Sequence, residues 1–151
     1  MTQRILLALA LALVAGAVAW VLRRRQVVDA PTQPRWLAPA QLDRADFARP
    51  DAPWLVALFT SATCSTCATM RPKVAVLSTE QVATDDIEAG ARAAVHARYG
   101  IEAVPIVCVA DASGVVRASF VGPCSATDLW AAVAEVREPG TSPEPGLGRP
   151  A

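Results

Sequence analysis

The chain has 151 residues, and with its two termini set aside about 100 remain, the size of one ordinary domain. Fourteen basic residues balance fourteen acidic ones, and no Lys/Arg run occurs outside the N-terminal segment, which excludes the electrostatic footprint of a nucleic-acid-binding domain. Aromatic residues make up only 5% of a chain that is 53% hydrophobic, so any core must be mostly aliphatic.

The first element is Ile5 to Leu22, which carries no charged side chain and only the indole of Trp20 as a polar group. As a helix rising about 1.5 Å per residue it spans roughly 27 Å, close to the hydrocarbon thickness of a bilayer. Arg23, Arg24 and Arg25 follow directly, and Trp20 stands where an indole favours the boundary between lipid and water. Residues 1–25 therefore read as one transmembrane anchor with a basic flank. Val28 and Ala30 also carry the small-residue spacing that signal peptidase accepts, against which the basic triplet argues. Three arginines on one side oppose Arg4 and the amino terminus on the other. Positive-inside counting thus favours a single-pass protein with a cytoplasmic globular part, by about one charge, with the exported side as the alternative.

Residues 26–35, with Pro31 and Pro34, read as a tether. The domain spans 36–137. In it, Gln41 to Phe47 after Pro39 predicts a brief helix with Leu42 and Phe47 inward, stopped by Pro50 and Pro53. Trp54 to Thr60 is an unbroken apolar run of strand length, the pattern of a strand covered on both faces. From Ser65 to Leu77 the apolar residues recur at helical spacing, with Pro72 as a kink. Gln81 to Ile87 is a short strand, and the Ala-rich stretch Ala89 to Tyr99 a helix closed by Gly100.

Two β-branched runs, Ile106 to Ala110 and Val115 to Val121, flank the turn residues Asp111 to Gly114 and predict a hairpin. That turn would set Cys108 opposite about Arg117. Ser125 with Asp128 has the form of a reciprocal cap for a last helix, whose buried stripe is expected to be Leu129, Trp130, Val133 and Val136. Residues 138–151 are dense in Pro and Gly and are expected to be disordered. The order of elements is that of an α/β fold with a mixed central sheet flanked by helices: crossover units demand parallel neighbours, and the hairpin adds antiparallel ones.

Cys64-Ser65-Thr66-Cys67 sits where a strand gives way to a helix. Two intervening residues put the first thiol at the helix mouth and the second one turn inward, within bridging distance. Unpaired N–H groups and the helix dipole favour a thiolate at the first position, which makes Cys64 the nucleophile and Cys67 the resolving thiol of a dithiol/disulfide exchange. A static structural disulfide is the plainer alternative. A bare CxxC is also half of a zinc site, yet Cys108 and Cys124 form no second CxxC and the chain has one histidine, so no metal or other cofactor is expected.

The strand-to-CxxC junction, Pro72 five residues beyond Cys67, the run YGIEAVPIVCVADASGVVRASFVG and the closing helix together resemble the thioredoxin family over the whole of 36–137. The resemblance implies a four- or five-stranded sheet, a cis bond between Val104 and Pro105 facing the active site, and contact of Val104, Pro105 and Gly122 with an extended protein partner carrying a disulfide or dithiol. Three positions depart from the family pattern. Thr63 replaces a tryptophan, Ser65-Thr66 replaces Gly-Pro, and Leu58 stands in the place of a buried carboxylate that moves a proton at the second cysteine. A thioredoxin-fold binding module without turnover is therefore the alternative to an oxidoreductase.

The remaining candidates have plainer readings. Cys108 is expected as a small core residue, unpaired with Cys124, and Cys124 as a surface or cap residue rather than an auxiliary thiol. His96 is expected to face solvent. Trp54 and Trp130 should pack in the core or at its edges, and Trp36 over the sheet end.

Overall fold

The computed structural model describes residues 37–141. The expected transmembrane anchor, the tether, Trp36 and the end of the C-terminal tail lie outside the described residues. Among those described, no helix is long and apolar enough to cross a membrane.

Four strands, β1 (Trp54–Thr60), β2 (Val82–Glu88), β3 (Ile106–Ala110) and β4 (Val116–Val121), form one sheet in the order β2-β1-β3-β4. β1 and β2 run parallel, and β3 is antiparallel to both β1 and β4. The parallel pair is joined by helix α1 (Ser65–Ala75), a shorter helix α2 (Ala93–Arg98) follows β2, and α3 (Ala126–Arg137) ends the domain. The mixed α/β sheet expected from the order of elements is thus present.

β1 sits at the centre because both of its faces are apolar. Leu55, Ala57 and Phe59 pack with Phe47, Ile87, Ile106 and Cys108, while Val56 and Leu58 pack with Met70, Val74, Val107, Leu129 and Val133. Phe59 is fully buried and meets Phe47 edge to face, with ring centroids 6.3 Å apart. Burying one such side chain contributes roughly 1.5–3 kcal/mol. On α1, Cys67, Met70 and Val74 are the buried residues, at a spacing that keeps them on one side of the helix. Pro72 lies inside α1, where it donates no helical hydrogen bond.

Several local expectations are corrected by tertiary partners. The segment after Pro39 forms only a 3₁₀ turn, Arg44–Asp46, because Gln41 is drawn into a β-bridge with Val115; Leu42 and Phe47 are nonetheless buried. α2 starts later than the alanine content implied, since Arg92 N–H bonds back to the Glu88 carbonyl and the Glu88 carboxylate takes the Ala91 N–H. Cys108 faces Ser119 rather than Arg117. Two local features shift the register. The turn closes by a bond from Asp111 N–H to Val115 O, and Arg117 bulges out to reach the Asp111 carboxylate at 2.7 Å. Gly114, at φ +81°, is required in that turn, because a Cβ there would come within 1.9 Å of the Leu42 carbonyl oxygen.

The cap of α3 is one-sided: Ser125 Oγ accepts from Asp128 N–H at 3.0 Å, with no return bond from the Asp128 carboxylate. The buried stripe of α3 is Leu129, Ala132 and Val133, with Val136 partly covered. Trp130, expected in that stripe, is 45% exposed. It falls one residue off the 129/132/133/136 spacing, and its indole N–H instead donates to the Lys73 carbonyl of α1 at 3.0 Å. Trp54 is half-buried at the core edge. At the start of the expected tail, Glu138 N–H bonds to Ala134 O and Gly140 N–H to the Glu135 carboxylate, closing the helix.

Candidate active site

β1 ends at Thr60, and the turn Ser61 to Thr63 delivers Cys64 to the N-cap of α1. Cys64 N–H donates to Ser61 O at 3.2 Å, which closes the turn. The Cys64 sulfur accepts from the Cys67 N–H at 3.1 Å, in the manner of a capping serine, and lies 3.3 Å from the Thr66 hydroxyl. A polar side chain at the N-cap satisfies one of the orphan N–H groups of the first turn. Where that side chain is a thiol, the same bond and the helix dipole favour its anion.

Cys64 and Cys67 are joined by a disulfide, with their Cα atoms 5.3 Å apart. Cys64 is half-buried at the helix mouth, whereas Cys67 is fully buried beneath it. An incoming sulfur therefore has access to the first cysteine and not to the second. The exposed rim is made of Ala62, Thr63, Ser65, Thr66 and Thr69, uncharged and largely hydroxylated.

The Val104–Pro105 bond is cis, and the Val104 carbonyl oxygen lies 3.9 Å from the Cys64 sulfur. Gly122 N–H donates to Pro105 O at 2.8 Å, so the residue after β4 is fastened to the same loop. Its φ of +92° is a conformation that favours glycine, while the space where a Cβ would stand is open. The structure thus brings Cys64, Cys67, Val104, Pro105 and Gly122 to one end of the sheet.

Leu58 is fully buried in the apolar cluster with Met70, Val74 and Val107. Its register partner on β2 is Asp86, whose carboxylate accepts from the Thr60 hydroxyl at 2.7 Å and from Arg71 Nε at 2.6 Å. Arg71 also donates to the Thr60 hydroxyl at 3.2 Å. Leu58, Arg71, Val74, Thr84 and Asp86 line a small cleft of about 210 Å³ between α1 and the β2 edge.

Glu88 was not signalled by sequence. Its carboxylate accepts from Ala62 N–H at 3.0 Å and from Ala91 N–H at 2.8 Å. Backbone N–H groups of Gly90, Ala91 and Ala62 hold its carboxyl below the usual carboxylate range. No motif marks its bond to the turn before Cys64, because the Ala62 N–H is 26 residues away in the chain.

Cys108 and Cys124 are free thiols, as expected, and not bonded to each other. Burial alone pushes the Cys108 thiol up to about 12. Cys124 is half-buried and is also raised by burial, partly offset by Lys73. His96 overturns its expectation: it is 8% exposed, its Nε2–H donates to Ile87 O at 2.9 Å, and its ring meets Phe59 at 5.4 Å. The neighbouring alanines leave His96 and Val95 as the large side chains able to fill the space between α2 and the sheet. Among the described residues no cluster of three His, Cys, Asp or Glu is placed to hold a metal ion.

No protein-family model and no curated protein matches the chain. Solved structures do. A mutant thioredoxin from Halobacterium salinarum superposes with a TM-score of 0.51 at 23% identity, covering 57% of this chain and 76% of that one. Thioredoxin from Fasciola hepatica gives a TM-score of 0.49 at 22% identity over 57% of this chain and 83% of that one. Mitochondrial thioredoxin 3 from Saccharomyces cerevisiae gives 0.48 at 16% identity over 57% and 81%. The likeness to the first of these is one of fold: the domain has a thioredoxin-like α/β fold with a mixed four-stranded sheet.

Proposed function

We propose that the protein is a thiol–disulfide oxidoreductase that exchanges its Cys64/Cys67 pair with cysteines of protein partners near a membrane. The observation that carries this reading is the cap at Cys64: a half-exposed sulfur accepting the Cys67 N–H at 3.1 Å, with the sulfur of a fully buried neighbour bonded to it.

In the reducing direction the dithiol form acts. The Cys64 thiolate attacks one sulfur of a partner disulfide, a Cys64–partner S–S bond forms, and the partner's own S–S bond breaks, its released thiolate taking a proton from water. Cys67 then loses its proton and attacks the Cys64 sulfur. The mixed disulfide breaks, the second partner thiol leaves, and the Cys64–Cys67 disulfide described above results. Two electrons pass to the partner, and a dithiol donor must return them. Run backwards, the same steps oxidise a partner dithiol. Val104, Pro105 and Gly122 are the proposed contacts of an extended partner segment.

The membrane setting rests on the sequence of residues 1–25, with the domain on the cytoplasmic side as the favoured orientation and a reducing role as its consequence. A redox-inactive binding module using the Val104 groove is the second reading. Leu58 favours it, since among the described residues no buried carboxylate lies beneath α1 to take the proton of Cys67. Insulin reduction with dithiothreitol as donor separates the two: turnover that Cys64→Ser abolishes supports exchange. Partner capture retained in Cys64→Ser/Cys67→Ser, with no turnover by the native chain, supports the binding module.

A further inference from the structure

We infer that Glu88 is a positioning residue for Cys64, holding the turn Ser61 to Thr63 so that the nucleophile keeps its place at the helix mouth once the disulfide is opened. The inference rests on the oxidoreductase reading above for its consequence in turnover, though not for its geometry.

The turn has few outside anchors. Cys64 N–H to Ser61 O, Thr63 N–H to Ser61 Oγ, and the Ser61–Thr63 hydroxyl contact are all internal to it. Among the described residues, Glu88 is the one side chain beyond the turn that bonds to Ser61, Ala62 or Thr63, through the Ala62 N–H at 3.0 Å. In the oxidised protein the Cys64–Cys67 bond restrains the far end of the turn. Reduction removes that restraint, and the sulfur must then stay within reach of the Cys67 N–H by other means.

Glu88 is well founded for such a task. It is the last residue of β2 and the register partner of Thr60, and Ala89 N–H donates to Thr60 O at 2.9 Å, so the two strand ends are pinned together. Its second oxygen is fixed by Ala91 N–H at 2.8 Å, and Gly90 lets the carboxylate lie close, since a Cβ there would stand 3.1 Å from Glu88 Oε2. A carboxylate held at both oxygens on a strand end has little freedom left. Charge-assisted bonds of this kind are also about twice as strong as neutral ones.

A carboxylate near Cys64 has a second effect, of opposite sign. Its negative charge repels a thiolate, so removing the charge alone lowers the pKa of Cys64, whereas losing the cap geometry raises it. The pH dependence of iodoacetamide alkylation at Cys64 in the reduced full chain, read by mass spectrometry, separates the two without requiring turnover. Glu88→Ala is expected to raise the alkylation midpoint by about half a unit, roughly threefold in thiolate fraction, and to lower kcat/KM for insulin by a similar factor. Glu88→Gln keeps one oxygen to accept the Ala62 N–H and loses the charge, so its midpoint is expected at or below that of the native chain. A Glu88→Ala midpoint at or below the native value, with circular dichroism showing a folded domain, overturns the inference. Should Glu88→Ala fail to fold, Glu88→Asp decides, since it keeps the charge and draws the carboxylate back from the Ala62 N–H: a midpoint at or below native overturns the inference. A native chain that does not reduce insulin would contradict the proposed function and leave the alkylation result to stand by itself.

Discussion

Leu58 and Asp86 are register partners on parallel strands, side by side on the sheet face beneath α1, one fully buried and apolar, the other a carboxylate at the cleft mouth bonded to Thr60 and Arg71. Asp86 therefore stands one strand away from the centre, and the floor under the CxxC helix stays apolar.

Leu58→Asp tests how far that floor tolerates a charge. An aspartate there would stand among the apolar side chains of Val56, Met70, Val74 and Val107, and the substitution is expected to destabilise the domain by about 3 kcal/mol or more at neutral pH. Burial raises the carboxyl pKa in the folded state, so the loss should shrink as pH falls and the group becomes neutral. Urea unfolding at pH 7 and pH 5 measures this. A loss independent of pH would contradict a desolvated site.

The Thr66 hydroxyl, 3.3 Å from the Cys64 sulfur, is a donor to the thiolate that forms on reduction. Thr66→Val removes the donor and keeps the shape, and should raise the Cys64 midpoint by about 0.5–1 unit, in line with one modest hydrogen bond. Thr66→Ser should restore it. Equal midpoints in all three proteins would show that the hydroxyl plays no part.

The buried thiol at Cys108, raised to about 12, should be silent toward Ellman's reagent in the folded chain at pH 8 and react only on unfolding. Cys124, half-buried, should react at an intermediate rate. Kinetics with a single fast phase for all thiols of the reduced native protein would contradict the burial described here.

Among the described residues, Asp46, Glu88 and Asp111 have carboxyls held below their ordinary values in the folded state. In Asp46 the largest cause is the Tyr99 hydroxyl, aided by Arg98; in Glu88 it is the Gly90 N–H; in Asp111 burial opposes the lowering, and bonds from Ser113, Arg117 and Val115 outweigh it. A depressed folded pKa stabilises the fold above the unfolded value and loses that contribution as pH falls through the folded one. The unfolded references are 3.8 for Asp46 and Asp111 and 4.5 for Glu88, so stability should be level at neutral pH and decline below about pH 4.5. Thermal melts from pH 7 to pH 3 check this. A maximum below pH 4 would contradict the assignment.

What could be read from the sequence was what short-range rules determine. The run Trp54–Thr60 is apolar at every residue save the last and forms a strand with those bounds, and Cys64 caps the helix that the CxxC spacing implied. The cis bond at Val104–Pro105 followed from the family resemblance rather than from any residue pattern. What failed depended on distant partners. His96 is buried because Ile87 O and the Phe59 ring receive it, and Trp130 is exposed because the stripe of α3 passes one residue to its side. The hairpin register slipped because Asp111 draws both Val115 and Arg117 toward itself. Glu88 lies beyond any motif, since its role exists only once β2 has placed it beside the turn before Cys64.

The central claim is that Cys64 is the attacking sulfur and Cys67 the one that releases it. Trapping tests it directly: Cys67→Ser, incubated reduced with a disulfide-bonded peptide and analysed by non-reducing mass spectrometry, should accumulate a mixed disulfide at Cys64 that the native chain resolves. Absence of any Cys64 adduct, or its accumulation to the same extent in the native chain, would contradict the account.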